Sequence, residues 1–366
     1  MRGTTPTAAQ GLGRAAAHAR GDSARFHCRF TTKDHPRIRT GIGLLVVTAM
    51  LSVAPGLAHP APEPVKCTAT AFDFPGGRMG ATLCVPGPAT DAVMLLIPGA
   101  SINQNYWDST YQPQTHNFRR AMNAAGYATL TVDRLGTGTS SRPPGTAVTS
   151  IGQAAGIHQI VGELRRGLSD AQPFSKIILG GVSLGAGIAI LEATTYHDVD
   201  AVFLSGYSHH INVLGALSAA ITFVPAAIDP RFAGRGYNLA YLTTAPGTRA
   251  ASFLPAETPP QTREIAEQSA DVFTITELLD GLPTAVTALT NQINVPVLLT
   301  NGSADKLCAP QVCANTDALH AAEAPYFAHG ILTAFVLPDA GRALNLASNT
   351  GDYHAAVSNW FTTATS

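Results

Sequence analysis

The feature that most constrains this chain is Lys176-Ile-Ile-Leu-Gly-Gly-Val-Ser-Leu-Gly-Ala-Gly187, an apolar β-type run that leads straight into the pentapeptide Gly181-Val182-Ser183-Leu184-Gly185. Glycines on both sides of a serine, between a strand signal and a helix signal, predict a sharp strand-to-helix turn. Side chains at positions 181 and 185 would collide with neighbouring backbone there. Such a turn lifts the Ser183 hydroxyl above the end of a sheet and sets it at a helix N-terminus, where the Leu184 N–H can face a developing oxyanion. The pattern therefore proposes a serine nucleophile and requires an acid and a base further along the chain.

The rest of the chain supplies a sheet for that turn. Thr68–Phe74 and Ala81–Val85 read as a hairpin joined through Pro75-Gly76-Gly77. Apolar strands are predicted at Ala92–Pro98, Tyr127–Asp133, Lys176–Gly180, Ala201–Ser205, Val295–Thr300 and Thr333–Leu337. Helical patterns at Asn117–Ala125, Ala154–Leu168, after Ser183 and at Asp352–Phe361 alternate with them. Apolar strands alternating with helices predict an α/β fold whose mostly parallel sheet is covered on both faces. Ligands of such folds bind at the carboxyl ends of the strands.

The N-terminal region reads differently. Residues 1–58 hold eight Arg/Lys and two Asp, so +6 there leaves −7 on the remainder of a chain with net charge −1. A basic stretch to Arg39 precedes the apolar run Gly41–Val53, with Gly56-Leu57-Ala58 as small residues before a cleavage point. The run is short for a bilayer span and fits a signal peptide core, so a leader at 1–58, a Pro-rich linker at 59–65, an exported domain at 66–366 and no stable membrane span after cleavage are expected. Cys28 would leave with the leader. Cys67, Cys84, Cys308 and Cys313 remain, and of their three connectivities local pairing, Cys67–Cys84 and Cys308–Cys313, is the simplest. A mildly acidic body argues against nucleic acid as a partner. No Rossmann fingerprint, P-loop or metal-ligand spacing is present, so neither cofactor nor metal is expected.

Ile97-Pro-Gly-Ala-Ser101, Asp133-Arg-Leu-Gly-Thr-Gly-Thr-Ser140, Gly181–Gly185 and Asn301-Gly-Ser-Ala-Asp305 together resemble the α/β-hydrolases, over about residues 65–364. The stretch Tyr241–Thr248 and the cysteine pair after Asp305 are similar to secreted bacterial and fungal members of esterase or lipase type. The resemblance implies Ser183 as nucleophile and Asp305 as the acid that orients an imidazole. Backbone N–H groups of Ala100 and Leu184 would form the oxyanion hole, with Ser101 a lesser alternative to Ala100. Residues 211–292, rich in Ala, Pro and Leu and helical over Leu214–Val224, are expected to form a lid favouring hydrophobic esters.

The histidine departs from the pattern. Where such proteins commonly read A-G-H-x-L-N-L, this chain reads Ala340-Gly341-Arg342-Ala343-Leu344-Asn345-Leu346. A guanidinium stays protonated at physiological pH and cannot act as general base. After Asp305 only His320, His329 and His354 remain, none where a base is needed, while His209 and His210 follow a strand at the correct end of the sheet. Two readings follow: a secreted ester hydrolase with an incomplete triad, or a non-hydrolytic protein that keeps the fold and its pocket.

Overall fold

The computed structural model describes residues 64–87, 90–168, 171–328 and 330–364. The leader, most of the Pro-rich linker and His329 lie outside them. In chain order the strands are β1 (Lys66–Phe74), β2 (Gly77–Val85), β3 (Ala92–Ile97), β4 (Ala128–Val132), β5 (Lys176–Val182), β6 (Ala201–Ser205), β7 (Phe223–Pro225), β8 (Tyr241–Thr244), β9 (Phe273–Thr274), β10 (Val297–Gly302) and β11 (Leu332–Leu337). Eight of them form one sheet in the order β1-β2-β4-β3-β5-β6-β10-β11. From β4 through β11 every neighbouring pair is parallel, and only β1–β2 and β2–β4 run antiparallel. The expected α/β architecture is therefore present, with the hairpin at one edge.

The helices are α1 (Phe118–Ala124), α2 (Ser150–Arg166), α3 (Leu184–Tyr196), α4 (Val213–Ala220), α5 (Arg249–Phe253), α6 (Pro260–Gln268), α7 (Ile275–Gly281), α8 (Pro283–Val286), α9 (Thr316–Glu323) and α10 (Thr350–Ala364). None of the described helices is long and apolar enough to cross a membrane. The alternation of side chains along β3 divides the core. Val93, Leu95 and Ile97 pack with Ile157 and Ile160 of α2 and Ile188 and Ile190 of α3. Met94 and Leu96 point the other way and meet Phe118 and Met122 of α1 and Val357 and Phe361 of α10.

Local boundaries differ from the sequence reading in instructive ways. Helix α2 starts at Ser150, not Ala154, because the Thr149 side chain accepts a hydrogen bond from the Gly152 N–H and caps it. The apolar stretch expected as one helix over Leu214–Val224 breaks after Ala220. Its end forms β7, which pairs with β8 in a small antiparallel sheet β7-β8-β9. Cys67 and Cys84 face each other in the β1–β2 register and are bonded, as are Cys308 and Cys313.

His354, on α10 and away from the site as expected, is a packed histidine buried beneath its helix. Its Nε2 lies 3.2 Å from both Asn345 Oδ1 and Thr350 Oγ1, with the ring edge-on to Phe118. Burial, with His116 nearby, holds its pKa down at about 4 against the ordinary 6.5. The folded state resists protonation that the unfolded chain accepts, so this stability is complete above pH 6.5 and is lost as pH falls towards 4. The loss reaches about 3 kcal/mol at most. Thermal unfolding between pH 7 and 4 is expected to show a steep fall in Tm that His354→Asn flattens. An equal slope in the variant contradicts the assignment.

Candidate active site

The turn between β5 and α3 is as tight as its glycines require. A Cβ on Gly181 would lie 2.1 Å from the Gly185 carbonyl oxygen, and one on Gly185 would lie 2.5 Å from that of Ile97. Ser183 is forced to φ 55°, ψ −114°, a conformation that L-residues adopt only under strain. Its N–H donates to Ser205 O at 2.8 Å, anchoring the turn to β6. Oγ is left facing a cavity of about 320 Å³ at the carboxyl ends of the strands.

Asp305 follows β10 and is held by its own turn, with the Leu307 N–H donating to Oδ1 at 2.9 Å. Gly302 lets the β11–α10 loop come close, since a Cβ there would lie 2.1 Å from Ala340 O. That approach delivers Arg342 into the space between Ser183 and Asp305. Its Nε donates to Ser183 Oγ at 3.1 Å and its Nη1 to Asp305 Oδ2 at 2.9 Å. The guanidinium thus bridges the two side chains, bonded on one side to the hydroxyl and on the other to a carboxylate with no exposed side-chain surface. Both contacts use hydrogens of Arg342, and a guanidinium offers no lone pair to accept the Ser183 proton.

The loop carrying Ala100 is pinned from beneath. Arg134, buried at the end of β4, donates from Nε to Pro98 O at 3.1 Å and from Nη2 to Gly99 O at 3.0 Å. Its third contact is an ion pair with buried Glu277 at the start of α7, itself part of a capping box with Thr274. Ala100 and Leu184 both line the cavity, and neither N–H has a protein acceptor among the described hydrogen bonds. Ser101 is turned away. It is fully buried, and Arg249 Nη1 donates to its carbonyl at 3.0 Å and to its Oγ at 2.7 Å. Burial pulls Arg249 down to about 10, leaving it a cation that lines the cavity near Glu267 and Asp271. Arg134, Glu277 and Arg249 carried no role in the sequence reading. The signals were charges embedded in otherwise apolar or small-residue stretches.

The cavity wall is otherwise mostly apolar, with Ile102, Val182 and Leu346 from the sheet and its loops and Ala219, Leu254 and Leu278 from residues 211–292. Around them, α4 turns Val213, Leu214 and Leu217 outward, and Leu279, Leu282 and Val286 are likewise exposed.

No described histidine lines this cavity. His209 is spent elsewhere, with Nδ1 2.6 Å from Glu323 Oε2 of α9 and its ring stacked on Tyr326. His210 Nε2 contacts Ala322 O at 3.1 Å. His320 is exposed on α9, and His354 lies in the core described above. Although both follow β6 at the carboxyl end of the sheet, neither His209 nor His210 lines the pocket, because Glu323 draws the segment after β6 towards α9.

Strain at Ser183 gives a stability test independent of chemistry. Glycine tolerates a positive φ and alanine does not, so Ser183→Gly is expected to exceed Ser183→Ala in denaturant stability by about 1 kcal/mol. Equal midpoints would mean that the turn is unstrained.

The sequence model of the alpha/beta hydrolase family matches residues 94–356. Among solved structures, the chain is similar to a soluble variant of monoglyceride lipase from Saccharomyces cerevisiae in complex with a substrate analog (TM-score 0.57, 13% identity, covering 82% of this chain and 98% of that one). It is also similar to an enol-lactonase from Burkholderia xenovorans LB400 (TM-score 0.54, 14% identity, 80% and 100%). A carboxylesterase from Bacillus subtilis aligns likewise (TM-score 0.51, 16% identity, 81% and 92%). At these identities the likeness is one of fold. No curated protein sequence matches the chain. The family match spans most of the chain, and the sheet order and the elbow agree with it: the chain belongs to the alpha/beta hydrolase family.

Proposed function

We propose that this protein is an exported hydrolase-fold protein whose pocket takes hydrophobic carboxylic esters, and whose hydrolysis through Ser183 is slow because Arg342 stands in place of the general base. The observation that carries the reading is the pair of contacts from Arg342, 3.1 Å to Ser183 Oγ and 2.9 Å to Asp305 Oδ2. In this reading Ser183 attacks the ester carbonyl, and the Ala100 and Leu184 N–H groups hold the oxygen that becomes negative. Asp305 neutralises Arg342 instead of orienting a base. The apolar wall supports an acyl chain as the bound group, and residues 211–292 act as its lid. The basic leader and the two disulfides support export.

The size of the deficit follows from protease precedent, where losing the triad histidine lowers kcat about 10⁶-fold while roughly 10³-fold catalysis over water survives from binding and the oxyanion hole. Arg342 also lowers the energy of a Ser183 alkoxide by donating to it, so the residual reaction takes hydroxide or water as its proton acceptor. A second reading, ligand binding without turnover, is favoured by the same guanidinium. It lines the cavity and offers a fixed cation to the carboxylate of a fatty acid or an ester product.

The test is turnover of p-nitrophenyl esters by the wild type, Ser183→Ala and Arg342→His. The wild-type rate is expected to be low, to depend on Ser183 and to climb with pH through 9 without a plateau. Arg342→His is expected to raise it tenfold or more at pH 8 and to introduce a plateau above about pH 7, where an imidazole is neutral. Fast wild-type turnover that Arg342→His does not increase would overturn the proposal. No Ser183-dependent rate, with acyl-ligand binding intact, would establish the second reading.

A further inference from the structure

The charged groups at the opposite end of α3 take no part in that site. Glu192 lies nine residues after Ser183, about 14 Å further along the helix axis. It is fully buried, and neither of its carboxylate oxygens has a hydrogen-bond partner among the described groups. A buried carboxylate without a partner costs several kcal/mol unless its charge is met. The group it faces is Asp198, another acceptor, whose Oδ1 is also buried and unpartnered. Asp198 Oδ2 lies 2.7 Å from His158 Nδ1 on α2, and that ring is held in place by stacking on Tyr196 at 3.9 Å.

We propose that His158, Glu192 and Asp198 form a binding site for one divalent transition-metal ion of the zinc or cobalt type. One donor atom from each residue lies within 4.8 Å of the others. A tetrahedral ion with bonds of about 2.0–2.1 Å spaces its ligands about 3.4 Å apart, so small side-chain shifts seat it, with the 2.7 Å His158–Asp198 contact opening to take the ion in place of the hydrogen bond. An imidazole nitrogen with two carboxylates suits these ions. The charge balance agrees. Asp200, the next carboxylate, is taken by Arg165 at 2.6 Å and by the Ile177 N–H at 2.7 Å. Arg165 reaches Asp198 only through its carbonyl oxygen. Glu192 and Asp198 thus face one another without a paired guanidinium or ammonium, and one divalent ion would balance the two negative charges they carry when both ionise. His158 and Asp198 keep 41% and 29% of their side chains exposed, which gives the ion an entry path and room for a water ligand. The bound ion clamps α2 to the C-terminal end of the helix whose N-terminus carries Ser183.

The rival occupant is a proton shared between the two carboxyls. Burial and Asp198 push Glu192 up to about 9, so without an ion it is held neutral.

The experiment strips the protein with chelator and titrates it with ZnCl2 or CoCl2, reading stoichiometry by calorimetry, Tm, and the visible absorption of bound Co²⁺. The wild type is expected to bind one ion per chain at this site and to gain about 5 °C in Tm at a hundredfold excess over Kd. His158→Gln, at a half-exposed position that folding tolerates, and the isosteric Glu192→Gln are each expected to weaken that binding at least tenfold and to abolish the Tm gain. A wild type without Co²⁺ absorption or Tm gain overturns the proposal in favour of the shared proton. Binding that survives unchanged in His158→Gln overturns it in favour of an adventitious ion.

Discussion

The guanidinium of Arg342 ties the two ends of the site together, and the surrounding loops are shaped to admit it. β5 presents Ser183 through a turn that only glycines at 181 and 185 allow, β10 presents Asp305, and Gly302 lets the β11–α10 loop close over the gap. The stem is accommodated at Gly206, where a Cβ would lie 3.1 Å from Arg342 Cγ. A planar cation donates to an alcohol on one side and a carboxylate on the other, and in the proposed reading it takes the place of a general base without its chemistry. Arg342 meets both the Ser183 hydroxyl and the buried Asp305 carboxylate with a hydrogen bond. An alanine at 342 would leave Asp305 buried and unpaired, at a cost of about 3 kcal/mol or more.

Two further arginines hold the walls. Arg134 joins the Ala100 loop to α7 through Glu277, and Arg249 joins Ser101 to the small sheet and α6. Each gathers backbone carbonyls that would otherwise be buried without donors. Residues 211–292 therefore do not simply overhang the pocket. They supply the carboxylate and the cation that hold the loop bearing Ala100, so a lid movement would involve α4 and its exposed leucines more readily than α5 or α7.

Much of this was legible in the sequence because it is local. The strands showed as apolar runs, the elbow as glycines around Ser183, the position of Asp305 as a turn after a strand, and Arg342 as one departing letter in a frame that resembles the family's. The hairpin placed Cys67 opposite Cys84 by register. What the sequence hid was long-range. β7 and β9 are too short to show periodicity, and their partner β8 lies far along the chain. The burial of His354 depends on Phe118 and Asn345, and the capture of His209 depends on Glu323. Glu192 was visible only as a single charge within the apolar run Leu184–Ala193, a signal that acquires meaning once Asp198 and His158 are brought beside it.

The most direct measurement of the central claim is the rate at which a fluorophosphonate labels Ser183, followed by intact mass at pH 7.5. It reads nucleophile activation without dependence on acyl preference or product release. If Arg342 leaves Ser183 without a proton acceptor, the wild type labels at least a hundredfold more slowly than Arg342→His, and the label in both maps to Ser183. Rapid wild-type labelling at Ser183, equal to that of Arg342→His, would contradict the account and require a base that the described structure does not place in the cavity.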